Sequence, residues 1–457
     1  MDDRFAPRLQ EMLDDAVCGP ELTEGTLERL GDFLEPYVES MTEPEQRTHT
    51  HEYVQGLFSK LECKTGEAIA YLHNQDRQGL QKYIGQVPWD HKPLLKTLAK
   101  QVGERIGAAD GVIVFDPAAF AKKGTKSVGV KRQWCGRLGK IDNCQVGVFM
   151  GYVSREEHAL VDVRLYLTKD WAGDRKRRWE AGVPAETTFH KRHELALEML
   201  DEQGKSLPHA WVAGDDEMGR PAEFREALRE RGEHYLLAVP SNTLVRDLDA
   251  EPPPYAGRGR PPARPFMHVK TWCAALPDTA WVKLDVRDGE KGPLVIEAVK
   301  CPVTAKLGTA AGPEELLFAT RELQSDGRYK RDYYLAHTDA VDVSLMELAR
   351  VAKAEHRIEE CIKRCKSEAG MADYQVRNWI GWHHHIALSM LAMWFLIGET
   401  LRGKKTYSRV DHSAPPRPDR ERVRRPARVQ PAGHRPTPCN PLVATKRTST
   451  LLPLPRA

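Results

Sequence analysis

At 457 residues, 41% of them hydrophobic, the chain can bury more than one core, which excludes a single small domain. The formal net charge of +3 is nearly neutral, but it is unevenly spread. Asp2, Asp3, Asp14, Asp15, Glu21, Glu24 and Glu28 make the opening acidic, whereas Lys122, Lys123, Lys126, Lys131, Arg132, Arg137 and Lys140 follow one another without an intervening acid. Nine cysteines without a C-x-x-C pair argue against a disulfide framework and against a zinc ribbon.

No basic-then-apolar leader opens the sequence. Its longest apolar run, Ile386 to Ile397, is shorter than the roughly 20 residues that span a bilayer. These features predict a soluble protein of a reducing cytoplasm; that the cytoplasm is bacterial is expected only from the family resemblance given below.

Residues 1–105 carry helical periodicity, as in Leu27, Leu30, Phe33 and Leu34, and predict an all-α head; a DNA-binding role for it is expected only from the family resemblance given below. Residues 106–245 change texture. Val112 to Phe115 form a short apolar run of the kind that becomes a doubly covered strand, expected to end at Asp116. Strands are expected at Cys144–Val153 and Ala159–Leu167, a helix through Glu194–Leu200, a strand at Ala210–Ala213, a helix near Ala222–Arg231 and a strand at Tyr235–Val239. The predicted order is β-β-β-α-β-α-β.

Residues 246–340 open with Pro- and Gly-rich punctuation and then show four strand patterns, predicting an inserted β-rich module. Residues 341–405 return to helix, with Ser344 and Glu347 as a capping box and a second helix over roughly Tyr374 to Leu401. Residues 406–457 are rich in Pro and Arg without apolar periodicity and predict a disordered basic tail, of the kind a frameshift would leave.

Asp116 and Asp215 each follow a short apolar strand, where side chains emerge into a shared crevice. Glu359 lies on a predicted helix with Lys366 two turns later, so a carboxylate and a cation share one face, bordered by Glu355, His356 and Lys363. Clustered carboxylates repel unless a hard cation neutralises them, so this set suits two Mg²⁺ or Mn²⁺ ions acting on a phosphodiester. Trp272 and Trp281 are readable either as core or as stacking platforms for an extruded base. His383-His384-His385 point about 100° apart on a helix and do not suit one ion. Cys361 and Cys365 read as small core residues.

The sequence resembles the DDE transposases of bacterial insertion sequences, most closely the 701 family related to the IS-four group. The resemblance is carried by Lys122-Lys123-Gly124-Thr125-Lys126-Ser127-Val128-Gly129-Val130, by Gly139 to Phe149, by Trp211 to Glu217, and by Glu359-Glu360-Cys361, Lys366 to Gly370 and Tyr374-Gln375-Val376-Arg377. It implies an α/β fold with an RNase H-like core, a mixed five-stranded sheet with flanking helices, and a catalytic, metal-binding triad of Asp116, Asp215 and Glu359. DNA contacts are expected from Lys122, Lys123, Lys126, Lys131, Arg132 and Lys366. The expected partners are element ends and target DNA, with a homodimer in the synaptic complex. In the related group a Tyr and an Arg precede the catalytic Glu; here Ala352 and Glu355 stand in those places. An inactive DNA-binding remnant and a cellular RNase H-fold nuclease remain as alternatives.

Overall fold

The computed structural model describes residues 24–410 apart from 62–63, 256, 258–261, 290–291 and 340–341, and the side chains of residues 137, 286–289, 292–294 and 404–410 are likewise outside the description. The opening helices are α1 (Thr26–Val38), α2 (Pro44–Phe58), α3 (Gly66–Leu72), α4 (Arg77–Gly85) and α5 (Lys92–Ile106). Local chemistry sets their starts: Pro lies in the first turn of α2 and α5, and the side chains of Thr65 and Asp76 cap α3 and α4 by accepting the free N–H of Ala68 and Gln78. Each longer helix buries one stripe, such as Leu94, Leu95, Leu98 and Val102 of α5.

The middle of the chain alternates strand and helix. It runs through β1 (Val112–Ala121), β2 (Lys131–Cys135), β3 (Lys140–Val153), β4 (His158–Leu165), α6 (Lys169–Gly173), α7 (Arg175–Glu180), α8 (Arg192–Gln203), β5 (Trp211–Gly214), α9 (Asp216–Gly219), α10 (Ala222–Glu230) and β6 (Tyr235–Ala238). Then come β7 (Leu244–Asp247), β8 (Met267–His268), α11 (Val269–Ala275), β9 (Val282–Gly289), β10 (Gly292–Leu307), β11 (Ala310–Leu323) and β12 (Tyr329–His337). Two long helices close the chain, α12 (Leu345–Glu368) and α13 (Trp379–Val410).

The fold is mixed α/β, built on one large sheet of order β2-β3-β1-β5-β6-β12-β11-β10-β7-β8, with β4 also on β3 and β9 also on β10. Strand β1 pairs antiparallel with β3 and parallel with β5, and β5 pairs parallel with β6. Val112 to Phe115 are wholly buried, as their uninterrupted apolar run requires of a strand covered on both faces.

Two expectations need correction, the end of β1 and the end of the last helix, and two of the expected segments join the rest of the fold. Strand β1 does not end at Asp116: fourteen-residue β3 carries its antiparallel pairing on, from Asp116 opposite Phe149 to Ala121 opposite Cys144. The β-rich insertion is continuous with the large sheet. Although Val245, Trp272, Cys301 and Leu317 give it a small core of its own, β12 pairs antiparallel with β6, Leu335 opposite Leu237. The opening helices share one core with the rest, from Leu30 to Ile397. The last helix runs on to Val410, past the expected start of a disordered tail at Thr406; residues 411–457 lie outside the described residues.

The shared core follows from the composition of α13. By length and composition this helix could cross a membrane, yet two thirds of its apolar stretch is buried inside the fold. Strand β4 covers one side, α2 and α4 another, so a helix apolar all round finds cover all round. Its three histidines diverge as helix geometry demands. His383 Nδ1 lies 2.9 Å from the Trp379 carbonyl, His384 Nε2 lies 2.8 Å from that of Trp89, and His385 Nδ1 lies 2.9 Å from the Tyr53 hydroxyl. Burial drives all three well below the usual imidazole range, to about 3, 4 and 3, which holds them neutral in the core.

Helix α5 meets the segment after α8 at Gly103, where an added Cβ would lie 2.0 Å from the Ser206 carbonyl oxygen. Backbone cannot yield as a side chain does. Gly103→Ala is therefore expected to cost about 1–3 kcal/mol, read as a lowered midpoint in denaturant titration. An unchanged midpoint would mean that α5 is not held against this backbone.

Candidate active site

Strand β5 stops at Gly214, opposite Phe115, one residue short of Asp116. On that edge Asp116 therefore faces open space rather than a neighbouring strand. The carboxylate is half-buried and, among the described residues, accepts no hydrogen bond and makes no ion pair. Burial raises its pKa well above the carboxylate range, and the negative charges of Asp215 and Glu359 add to the shift against the opposing Lys366.

Asp215 begins where β5 ends and serves as the N-cap of α9, its side chain accepting the Met218 N–H at 3.0 Å. Capping and a place in the crevice are compatible, because one oxygen satisfies the helix end. Burial pushes its pKa up to about 7, opposed by the Met218 N–H and reinforced by Glu217 and Asp216. The two following acids are engaged elsewhere: Asp216 pairs with Arg220 at 3.0 Å, and Glu217 pairs with Arg192. Gly219 fixes this turn, since a Cβ there would lie 2.0 Å from the Ala238 carbonyl oxygen of β6.

Helix α12 crosses β1 and β5 and presents two carboxylates one turn apart. Glu359 is exposed, with His356 Nδ1 at 3.4 Å, and lines both lobes of the crevice. One lobe contains Asp215, Glu355, Lys330 and Arg331; the other contains Asp116, Gly136, Lys363 and Lys366. Glu355 is the residue that the sequence reading set only at the border. It is half-buried without a hydrogen bond or ion pair among the described residues, and burial together with Asp215, Asp116 and Glu359 raises its pKa well above the usual range. Its signal in the sequence was the departure itself, an acid where the related group has Arg.

An all-carboxylate donor set suits a hard divalent cation. Two of the acids, Asp116 and Glu355, make no ion pair among the described residues, so the residues fit such an ion. Among the described residues no three His, Cys, Asp or Glu side chains are grouped to hold a single ion as they stand. The carboxylates thus share one electrostatic environment without closing a cage.

The basic segment is shaped by the remaining motifs. Buried Gln145 donates to the Val128 carbonyl at 2.6 Å and accepts from the Tyr374 hydroxyl at 2.8 Å. Val128 N–H donates to the Arg377 carbonyl at 2.8 Å, and Asn143 Nδ2 donates to the carbonyls of Lys122 and Gly124, both at 2.7 Å. Segments far apart in the chain thus frame one loop.

The expected DNA-contacting cations separate into two groups. Lys123, Lys126 and Arg132 are exposed, with no ion pair among the described residues. Lys122 turns inward, its ammonium 3.3 Å from the Tyr374 ring centre, and burial lowers its pKa to about 7. Lys131 pairs with Asp170, and Lys366 donates to the Ala119 carbonyl at 3.2 Å from inside the crevice. Trp272 and Trp281 are core residues, both 7% exposed.

A family model for the DDE superfamily endonucleases matches residues 36–293, more than half of the chain, and the chain belongs to that family. The matched stretch includes Asp116 and Asp215 and stops before α12. Within that class the chain is similar to the probable transposase for insertion sequence element IS701 of Microchaete diplosiphon. The two are 27% identical over 201 residues, 42% of this chain and 49% of the relative, so the match spans about half the relative's length. A piggyBac transposase in a synaptic complex with hairpin DNA aligns over 86% of this chain and 80% of its own, at 10% identity and a TM-score of 0.37, too low to support an argument about the fold.

The raised pKa of Asp215 makes a pH-dependent stability test. Below the ordinary carboxylate range the acid is protonated whether folded or not. As pH rises from about 4 the unfolded chain ionises first, so stability is lost until the folded pKa near 7 is passed. Metal-free protein should therefore melt at a lower temperature at pH 8 than at pH 5, and Mg²⁺ should raise the melting temperature more at pH 8. Asp215→Asn should weaken both dependences, the raised Asp116 and Glu355 keeping their own share; equal stabilisation by Mg²⁺ at the two pH values would refute the coupling.

Proposed function

We propose that this chain is a DNA transposase that binds the ends of an insertion sequence, cuts them by metal-dependent phosphodiester hydrolysis and joins the 3′ hydroxyl ends to target DNA. The observation that supports this reading is that Asp215, at the end of the adjacent parallel strand, and Glu359, on the helix that crosses both strands, act electrostatically on Asp116 of β1. In this reading β4-β3-β1-β5-β6 form an RNase H-like core. Residues 1–105 form the DNA-binding head, 246–340 the insertion and 341–405 the closing helices.

Asp116, Asp215 and Glu359 would hold two Mg²⁺ ions, with Glu355 beside them. Such a pair supplies an activated water or 3′ hydroxyl and stabilises the leaving oxygen. The chain's own contribution is rigidity, since Asp116 is fixed in a doubly covered strand and Asp215 by its cap. Exposed Lys123, Lys126 and Arg132 would take up backbone phosphates, while Lys122, half-buried and only partly charged near neutral pH, would brace the loop against Tyr374. Lys366 would face a phosphate entering the crevice, and Lys131 would join the DNA contacts on release from Asp170. Two element ends brought together call for a homodimer, acting on the nucleoid of a bacterial cytoplasm.

The test uses duplexes from the DNA flanking the gene, with Mg²⁺. Asp116→Ala, Asp215→Ala and Glu359→Ala should abolish cutting while binding persists; near-normal cutting by Asp116→Ala refutes the mechanism. Glu355→Gln should slow cutting by about 10- to 100-fold, the usual effect of removing a group that supports metal ligands. Binding without cutting by the wild type would favour the inactive remnant, and cutting without end preference would favour the nuclease.

Removing Lys123, Lys126 or Arg132 should each weaken binding across sequences and lower the slope of log K against log salt by about one. An unchanged slope in all three variants would remove this loop from the DNA interface.

A further inference from the structure

The hairpin of β2 and β3 leaves apolar side chains in water at a place where packing does not require it. Trp134 and Ile141 are directly opposite each other in the ladder and are each 60% exposed; Leu138, in the connecting turn, is 43% exposed. Directly paired residues share a sheet face and touch, so these side chains make one patch rather than scattered exposures. The opposite face of the same hairpin is packed, with Cys135, Cys144 and Val146 buried together. The patch is therefore presented by a braced element.

Its position is fixed relative to the carboxylates. Gly136, two residues after Trp134, lines the same lobe of the crevice as Asp116 and Glu359. At the hairpin's base Gln133 Oε1 accepts from Arg192 Nη2 at 3.0 Å, and Arg192 also pairs with Glu217, two residues after Asp215. The patch and the acids are thus tied through one short chain of contacts.

Its surroundings select the partner. By strand alternation exposed Arg132 lies on the same face as Trp134, and Asn143, next in line after Ile141, holds the loop that carries Lys123 and Lys126. These three cations lack ion pairs among the described residues. An apolar patch rimmed by unpaired cations, at the mouth of a carboxylate crevice, complements a polyanion with stackable faces more than an apolar protein surface.

We propose that the hairpin tip is a wedge that inserts Trp134, backed by Ile141, between bases of the DNA end next to the scissile phosphate, unstacking the duplex there. This rests on the transposase reading and adds to it a distortion that the carboxylates do not themselves produce. The phosphates flanking the opened step would lie on Arg132 and the Lys123 loop, and base stacking on the indole would offset part of the unstacking cost.

The experiment uses the full chain and flanking-DNA duplexes with 2-aminopurine placed at successive positions around the cutting site. Wild-type binding should brighten one or two adjacent positions. Trp134→Ala combined with Ile141→Ala should abolish that signal and slow cutting by about tenfold or more, within the range measured for loss of one stacked base. Affinity should change much less, and Trp134→Phe should retain most of the signal. Because the side chains are exposed, an unchanged melting temperature should show that the variant is folded; if it is not, Trp134→Ser and Ile141→Ser tested singly give the same readout.

A wild type that binds and cuts without brightening any position overturns the wedge and leaves the transposase reading intact. So does a double variant that still brightens and cuts normally. If the double variant instead turns a dimer into a monomer with the optical signal preserved, the patch is a contact between copies and the wedge is overturned. Failure of the wild type to bind or cut the duplexes overturns both readings.

Discussion

The constraint on which the site depends is the early end of β5. A parallel partner running one residue further would cover Asp116 and give the crevice a floor of backbone. Stopping at Gly214 leaves Asp116 in the middle of a long strand, rigid on its β3 side and open on the other. Gly214 is followed at once by Asp215, so the residue that ends the strand's protection also supplies the second carboxylate. Helix α12 then needs only to lie across this gap to bring Glu355 and Glu359 over it. The mutual repulsion is tolerable because each acid is held by a different element and none can retreat into another's space.

That arrangement explains why so much polar structure lies behind the basic loop. A loop carrying Lys122, Lys123 and Lys126 beside a carboxylate cluster would otherwise collapse onto it, since opposite charges at the surface attract. Asn143, Gln145, Tyr374 and the Arg377 carbonyl hold its backbone instead. The one cation that does turn inward, Lys122, meets a ring face rather than an acid. Positive charge is thus kept available to a ligand and kept off the carboxylates.

Much of this was legible in the sequence, and the missed parts have physical causes. The wholly apolar Val112 to Phe115 could only be a covered strand, and Asp116 after it stood out for that reason. Its continuation to Ala121 was hidden because strand length depends on a partner, β3, far along the chain. Strand β2, reading Lys-Arg-Gln-Trp-Cys, has no apolar alternation to announce it and forms by pairing with β3. The periodicity of the opening helices told which face was buried but not against what, so the shared core with α13 was out of reach. Glu355 was passed over because a motif reads its expected positions, and an acid in the place of an arginine looks like a loss until its neighbours in space are known.

The same substitution bears on how the crevice is balanced. An Arg at position 355 would place a cation one turn from Glu359, among Asp116 and Asp215, and would neutralise part of their charge without any ion. With Glu355 there instead, a fourth acid adds to the charge, and Lys366 opposes it at Asp116. The site is therefore more dependent on bound cations for its charge balance than a site with Arg in that place. Under the proposed function, phosphate gripping, the natural task of such an Arg, would then fall to cations on other elements, and the exposed Lys123, Lys126 and Arg132 around the β2–β3 hairpin make no ion pair among the described residues.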